Sequence, residues 1–201
     1  MRVLDRIRSR LDGVNVARGR SHLLWLVPAG GTCAEIGVWK GDFSQRILDV
    51  VDPAELHLID PWRAMQDVAY EDAWYGGMLE HGQRDMDAVH RSVLDRFAPA
   101  RDAGIVQVHR LPSAEAAPRF PDAYFDFVYI DGNHYEEYVR ADLEAWAPKV
   151  RPGGVIGGDD YGLEGWWDDG VTRAVDEFVD SGAASLVMLD HTQFALQTPD
   201  P

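Results

Sequence analysis

The sequence has little cysteine and few basic residues, and each shortage excludes a class of protein. Cys33 is the only cysteine among 201 residues, so the chain can form neither an internal disulfide nor a cysteine-based zinc site. We interpret Cys33, in the apolar stretch "GTCAEIG", as a small buried core residue. Lys and Arg total 19 against 34 Asp and Glu, which gives a formal net charge of -15. A field of that sign repels phosphate, so we expect no nucleic acid and no membrane surface as a partner.

Long hydrophobic runs are also missing from the sequence. The N-terminal "MRVLDRIRSRLDG" alternates charged and apolar residues, unlike a signal peptide, and no stretch approaches the length of a membrane span. We therefore expect a cytoplasmic protein. No repeat or Pro/Gly/Ser-rich linker divides the chain, so residues 1–201 are interpreted as one domain with a helical lead-in over 1–31.

Apolar segments with strand character alternate with segments of helical spacing. The strand predictions are 32–37, 55–60, 105–110, 125–131, 153–159, 184–190 and 192–198, and the helix predictions are 42–51, 85–97, 135–150 and 170–182. In the third of these helices, Tyr138, Leu143 and Trp146 recur at helix-like intervals, and Pro148 is expected to stop the helix. Such alternation predicts a doubly wound, mostly parallel α/β sheet of the Rossmann-like kind. The last two strands are close enough in sequence to form an antiparallel hairpin at its edge.

The first predicted strand runs through a glycine turn into a helix, as "CAEIGVWKGDFS". Glu35, Gly37 and Gly41 do not have the G-x-G-x-x-G spacing of a dinucleotide fold, and an acid in this loop suits a cationic ligand better than a pyrophosphate. Asp60 ends the second strand, where a carboxylate can accept hydrogen bonds from both ribose hydroxyls. Asp60-Pro61 is also compatible with a simple turn, but the two features together favour an adenosine-containing ligand.

Three acids follow two further strands. Asp131 ends "FDFVYI", and Asp159 with Asp160 ends "GGVIGG". If these strands are neighbours, their ends lie roughly 5 Å apart, and the three carboxylates suit Mg²⁺ or Mn²⁺. The alternative is that the acids only cap a turn and a helix.

His134 lies three residues after Asp131 and would point the same way if a helix begins there. A neutral imidazole in that place can act as a general base, although a histidine at a helix start can equally bind backbone. Residues 61–84 are expected to form a lid or substrate wall, or else an irregular surface loop. Trp62, Trp166 and Trp167 are candidates for an aromatic wall, with core packing as the alternative.

Taken together, these motifs resemble the class I S-adenosylmethionine-dependent methyltransferases, of the small metal-dependent O-methyltransferase type with "DGxH" and "GGDDY" signatures. The resemblance covers about Thr32 to Phe178 and rests on "AEIGVWKGDFS", "LHLIDPW" and "DFVYIDGNHYEEYVRADLEAWAPKVRPGGVIGGDDY". It implies the following assignments: methionine contacts from Glu35 and Gly37, ribose contacts from Asp60, adenine contacts from Ser113, a share in cofactor binding for Asp131, and metal ligation by Asp131, Asp159 and Asp160. Some members have an acid two residues after the first metal ligand. Asn133 stands there in this chain, which favours His134 as the base.

The resemblance implies methyl transfer to a hydroxyl of a small molecule such as a sugar, a natural product or a catechol-like compound. Three alternatives stay open: a metal-independent methyltransferase, a non-catalytic module that binds S-adenosylmethionine, and a nicotinamide or flavin oxidoreductase. Proteins of this size often form symmetric homo-oligomers, so the chain is a candidate for one.

Overall fold

A computed structural model describes residues 22–65, 75–77 and 79–200, in which seven strands form one sheet. The strands are β1 (Thr32–Ile36), β2 (Glu55–Ile59), β3 (Val106–His109), β4 (Phe125–Ile130), β5 (Val150–Gly158), β6 (Ser185–Asp190) and β7 (Gln193–Gln197). Their order across the sheet is β3-β2-β1-β4-β5-β7-β6. The first five are parallel, whereas β7 runs antiparallel to both β5 and β6. The predicted parallel sheet with an antiparallel hairpin at its edge is confirmed.

Within the described residues, six α-helices accompany the strands of this sheet. They are α1 (Asp42–Val51), α2 (Gln83–Arg96), α3 (Ala98–Asp102), α4 (Ser113–Ala116), α5 (Glu136–Trp146) and α6 (Gly170–Asp180). Short 3-10 helices span His22–Leu26, Ala117–Arg119 and Ala147–Lys149. None of the helices in the described part of the chain is both long enough and apolar enough to cross a lipid bilayer.

Of the three residues at helix-like intervals in α5, Tyr138 lies outside the buried face, since it is 49% exposed. Val139, Leu143 and Trp146 are the buried residues of this helix. Their spacing of four and then three residues keeps them on one helical face, whereas a residue at position 138 is rotated away from it. The helix also ends at Trp146, two residues before Pro148, which cannot continue an α-helix.

The sheet buries both of its faces, each against its own set of helices. On one face α1 and α2 cover Cys33, Leu58 and Tyr129. On the other, α5 and α6 cover Ile36 and Ile130. Successive strand residues point to opposite faces, so Cys33 and Ile36 fall on different sides. Cys33 is fully buried, as predicted, and burial raises the pKa of its thiol to about 12.

Parts of two predicted segments lie outside the described residues. Of the N-terminal lead-in, residues 22–31 are described and contain one turn of 3-10 helix at His22–Leu26. Of residues 61–84, positions 66–74 and 78 lie outside the description. The assignment of 61–84 as a lid therefore stays a prediction.

Candidate active site

Five parallel strands end on a common rung of the sheet. The register pairs His109 with Ile59, Ile59 with Ile36, Ile36 with Ile130, and Ile130 with Gly158. The residues that follow this rung are Arg110, Asp60, Gly37, Asp131 and Asp159. The strand order reverses between β1 and β4, and ligands of such sheets bind at the carboxyl ends of the strands around that point. Four of the predicted site residues are therefore placed at this edge by backbone pairing alone.

Asp131, His134 and Asp160 form a compact cluster at this edge. Each offers one potential metal-ligand atom, and the three atoms lie within 4.8 Å of one another. The Nε2 atom of His134 is 3.5 Å from Oδ1 of Asp131, and its Nδ1 atom is 3.2 Å from Oδ2 of Asp160. Nδ1 is nevertheless buried without a well-aligned hydrogen bond to any described residue. The cluster thus combines two carboxylates with a ring nitrogen whose hydrogen-bonding capacity is unsatisfied.

His134 reaches this cluster from a loop and not from a helix. The helix α5 begins at Glu136, and Asn133 accepts a hydrogen bond from the backbone N–H of Tyr135 at 3.0 Å. The expectation that Asp131 and His134 share a helical face is therefore wrong in its geometry. The loop after β4 brings the two side chains together instead.

The acids around His134 control its pKa. Burial alone would lower the pKa of the imidazole, but the contact with Asp131 and the charges of Asp160 and Asp159 outweigh burial and raise it above the usual value. The acids at this edge therefore favour the protonated form of the ring.

Asp159 lies beside this cluster but does not belong to it. Its side chain is 6% exposed, and Oδ1 accepts a hydrogen bond from the hydroxyl of Thr192 at 2.5 Å. Thr192 lies in the turn of the β6–β7 hairpin, which was not predicted to approach the site. The structure therefore brings two of the three predicted carboxylate ligands together with the histidine, and a ligand role for Asp159 stays a prediction.

Gly37 brings the segment after β1 into close contact with the segment after β4. Its φ of +88° is in the left-handed region, and a Cβ atom built there would lie 2.0 Å from the carbonyl oxygen of Asp131. No side chain fits in that space. Two residues before Gly37, in β1, the buried Glu35 accepts a hydrogen bond from the hydroxyl of Ser44 in α1. The predicted cofactor loop is therefore held by the segment after β4 at Gly37 and by α1 at Glu35.

Asp60 is held by four donors from the chain itself. Its Oδ2 accepts from the N–H groups of Val38 at 3.0 Å and Trp39 at 2.9 Å. Its Oδ1 accepts from the N–H of Trp62 at 2.6 Å and from the hydroxyl of Tyr75 at 2.5 Å. The carboxyl group is 1% exposed, and burial raises its pKa against these hydrogen bonds. Asp60 therefore fixes the loop after β1, and a ribose would have to compete with at least one of these donors.

Ser113, the predicted adenine contact, belongs to a hydrogen-bonded chain that links the two helices α4 and α5. Its hydroxyl donates to Oδ1 of Asp142 at 2.5 Å and accepts from the indole Nε1 of Trp146 at 2.8 Å. Asp142 was not predicted as a site residue. The signal in the sequence is its position four residues before the buried Trp146, which places an acid on the same side of α5.

The three candidate tryptophans divide between core and site. Trp62 is fully buried, and its Nε1 donates to the carbonyl of Trp39 at 2.8 Å, so it packs in the core. Trp166 and Trp167 flank His134, with ring-centroid separations of 6.1 Å and 4.7 Å. The Nε1 atom of Trp167 is buried and has no hydrogen-bond partner within the described ranges. The loop after β5 thus forms an aromatic wall beside the acids.

The sheet order, the two covered faces and the polar site at the reversal of strand order define a Rossmann-like methyltransferase of class I. Residues 34–161 match the model of a family described as a methyltransferase domain, which is more than half of the chain. The chain therefore belongs to the methyltransferase domain family, and its predicted assignment as a methyltransferase is confirmed. Comparison with curated proteins found no match.

Several solved structures share the fold at low sequence identity. The O-methyltransferase TomG from Streptomyces achromogenes, involved in tomaymycin synthesis and solved with S-adenosylmethionine, is 17% identical with a TM-score of 0.59. The match covers 100% of this chain and 91% of TomG. An O-methyltransferase from Bacillus cereus in complex with S-adenosylhomocysteine is 15% identical with a TM-score of 0.61, over 98% of this chain and 89% of that one. At these identities the likeness is one of fold.

Proposed function

We propose that this protein is an S-adenosylmethionine-dependent O-methyltransferase that uses Mg²⁺ or Mn²⁺ and methylates a hydroxyl of a small molecule, such as a sugar, a natural product or a catechol-like compound. The observation that carries the proposal is the convergence of Asp131, Asp160 and His134 at the edge where the strand order reverses. Membership of the methyltransferase domain family supports methyl transfer. The structural neighbours that are O-methyltransferases support oxygen as the acceptor atom.

The donor set fits a divalent cation. Carboxylate oxygens are the ligands that Mg²⁺ and Mn²⁺ prefer, and a cation between Asp131 and Asp160 would offset the charges that crowd this edge. Asp159 is the further ligand that the sequence predicts. When bound, such an ion lowers the pKa of a substrate hydroxyl and fixes its orientation.

His134 accepts the proton of the substrate hydroxyl in this proposal. S-adenosylmethionine supplies an electrophilic methyl group on a sulfonium, and the hydroxyl oxygen keeps the electron pair that forms the new C–O bond. The base must be neutral, and the carboxylates of Asp131 and Asp160 are what raise its pKa. A divalent cation bound by those carboxylates would offset their negative charge and so lower the pKa of His134. The imidazole would then be better able to accept a proton at neutral pH.

The identity of the cofactor is tested by thermal unfolding with S-adenosylmethionine, S-adenosylhomocysteine or NAD. A ligand at 100 times its Kd adds about 2.7 kcal/mol to the free energy of unfolding, which raises the Tm of a chain of this length by roughly 5–10 °C. We expect that rise with both adenosyl ligands and none with NAD. A rise with NAD alone would contradict the proposal and favour an oxidoreductase.

The role of the metal is tested by turnover on a panel of vicinal hydroxyl compounds, with added Mg²⁺ or with a chelator. We expect the chelator to abolish turnover and Mg²⁺ to restore it. Asp160→Asn is the sharpest variant, because Asp160 has a φ of +64° and Asn tolerates that backbone region. It should raise the Mg²⁺ concentration needed for half-maximal turnover by more than about tenfold.

Asp180→Asn, at an exposed position in α6 away from the site, is the matched control and should leave the Mg²⁺ requirement unchanged. Turnover that survives the chelator would favour a metal-independent methyltransferase. Binding of S-adenosylmethionine without turnover on any compound would favour a non-catalytic module.

A further inference from the structure

Asp142 is a carboxyl group that the proposed methyl transfer does not use. It lies in α5 between two segments of the ligand edge, the one that follows β3 and the one that follows β4. Its Oδ1 accepts the proton of the Ser113 hydroxyl at 2.5 Å. Its Oδ2 faces Gly132, where a Cβ atom would stand 3.6 Å away. Within the described residues, Asp142 makes no hydrogen bond other than the one to Ser113.

The hydrogen bonds of this pair leave it able only to accept. A serine hydroxyl has one proton and two lone pairs, and an ionised carboxylate has lone pairs alone. The proton of Ser113 is committed to Asp142, and one of its lone pairs is committed to the indole N–H of Trp146 at 2.8 Å. One lone pair on the Ser113 hydroxyl and the lone pairs of Oδ2 on Asp142 remain available to accept further hydrogen bonds. A ligand group that meets this pair must therefore be a donor.

The pKa of Asp142 also indicates that its carboxyl group has room for a further hydrogen-bond donor. Burial raises the pKa of this carboxyl group to about 6, and the hydrogen bond from Ser113 offsets the effect only in part. The residue keeps intermediate exposure, so its carboxyl group is not wholly enclosed by the described residues. Asp60, at the same edge, has four donors. A buried carboxylate with one donor is under-compensated, and a further donor from a ligand would stabilise it.

We propose that Asp142, together with Ser113, accepts a hydrogen bond from the exocyclic amino group of the adenine ring and so determines the specificity of this methyltransferase for a 6-aminopurine cofactor. The inference rests on the proposed use of S-adenosylmethionine. Asp142 acts as an acceptor for the amine, which is a donor, and it disfavours a purine with a carbonyl at the same position, because two acceptors would then face each other. Ser113 takes part as an acceptor and cannot donate to a ring nitrogen while its proton is held by Asp142.

The test compares the Kd of S-adenosylhomocysteine with that of S-inosylhomocysteine, in which a carbonyl replaces the amine, by calorimetry on the full chain. A hydrogen bond to a charged group contributes about 1.5–3 kcal/mol, so the wild-type protein should prefer the amine by at least about tenfold. Asp142→Asn presents an amide that can donate to the carbonyl, and it should lower this preference by about tenfold or more. Glu144→Gln, an exposed acid on the same helix, is the matched control and should keep the wild-type ratio.

The ratio of the two Kd values distinguishes recognition of the purine from a structural role of Asp142. Partial unfolding would weaken the binding of both ligands equally and leave the ratio unchanged. Ser113→Ala removes the second acceptor and should also lower the ratio, so it serves as the test if Asp142→Asn does not fold. An unchanged ratio in the variant that folds would overturn the inference while leaving the cofactor assignment intact. Failure of the wild-type protein to bind S-adenosylhomocysteine at all would overturn the proposed function, and this inference with it.

Discussion

Asp60 and Asp142 are carboxyl groups near the same edge of the sheet, and they differ in how many donors face them. Four donors from the chain converge on Asp60, whereas Ser113 alone donates to Asp142 within the described residues. Burial raises the pKa of both. The first is therefore satisfied before any ligand arrives, and the second is not. The acid that the sequence singles out for the ribose already serves the fold, and the acid that it did not single out has capacity left for a ligand.

The residue on which the chemistry depends is His134. Replacing it with Ala should leave the Kd of S-adenosylmethionine unchanged and lower kcat by about 10²–10⁴-fold, the usual contribution of a general base. In the variant, hydroxide from solvent must take the proton, so log kcat should rise with pH with a slope of about 1. Steady-state kinetics between pH 7 and 9 checks both expectations.

His81→Ala is the control for this experiment, because His81 is an exposed histidine whose Nδ1 lies 3.3 Å from the carboxylate of Asp85. Because it does not remove the proposed base, it should keep the wild-type dependence of kcat on pH, without the new slope. Undiminished turnover in His134→Ala would remove the base assignment, and a loss of turnover without the new pH slope would assign His134 a role in shaping the site.

At the scale of elements, the contact between the segments after β1 and β4 depends on Gly37. Gly37→Ala should destabilise the protein by more than about 2 kcal/mol, since it combines a left-handed backbone with a Cβ atom 2.0 Å from the carbonyl oxygen of Asp131. Urea unfolding measures the loss. Gly37→Ala should also weaken the binding of S-adenosylhomocysteine, because the added methyl group forces apart the segments that follow β1 and β4.

Gly30→Ala isolates the backbone contribution to this effect. Gly30 has a φ of +75°, and a Cβ atom there meets nothing within 4 Å. Its cost should be about 1–2 kcal/mol, the strain of a left-handed residue without a collision. Equal losses in the two variants would show that the contact between the segments has no energetic weight.

The elements were predictable from local pattern, and much of the site was predictable from topology. The strand predictions lie within about three residues of the observed bounds, and α1 spans the predicted 42–51. The meeting of Asp131 with Asp160 follows from the pairing of β4 with β5, because parallel neighbours end at the same edge.

The partners of these acids were not predictable, because they depend on contacts between distant parts of the chain. Thr192 reaches Asp159 across the β6–β7 hairpin, and Tyr75 reaches Asp60 from an irregular segment. Periodicity carries no information on such pairs. Helical spacing also did not determine which side chains are buried: Tyr138 is exposed whereas its neighbour Val139 is buried, because one residue of phase turns a side chain away from the core.

At the scale of the whole molecule, a partly buried histidine pair links the stability of the fold to pH. The Nδ1 atom of His57 in β2 lies 3.0 Å from Nε2 of His109 in β3. Burial lowers the pKa of both rings, in His57 against the hydrogen bond and charge of Glu55. The unfolded chain, with histidines near 6.5, then binds more protons than the folded chain in mildly acidic solution. Stability contributed by the neutral pair is therefore present above about pH 6.5 and is lost as the pH falls toward the lowered values.

His57→Gln tests this linkage, because it removes one of the titrating rings. The variant should be less stable than the wild-type protein at pH 8, and the difference in free energy of unfolding should shrink between pH 7 and pH 5. Urea unfolding across that range measures the trend. His81→Gln, at an exposed histidine, should show no such change. A difference that stays constant or widens on acidification would contradict the assignment of a neutral buried pair.

The common rung on which β1, β2, β3, β4 and β5 end has a consequence for how the chain can vary. The distances among Gly37, Asp60, Asp131 and Asp159 are set by the hydrogen-bonded ladder and not by the length of the segments that connect the strands. Residues can therefore be inserted on the opposite edge of the sheet, for example between α5 and β5, without moving these groups. A one-residue deletion inside any of these strands would instead turn its terminal group to the other face. We therefore expect insertions in the connecting segments to be tolerated and single-residue deletions within these strands to disrupt the site.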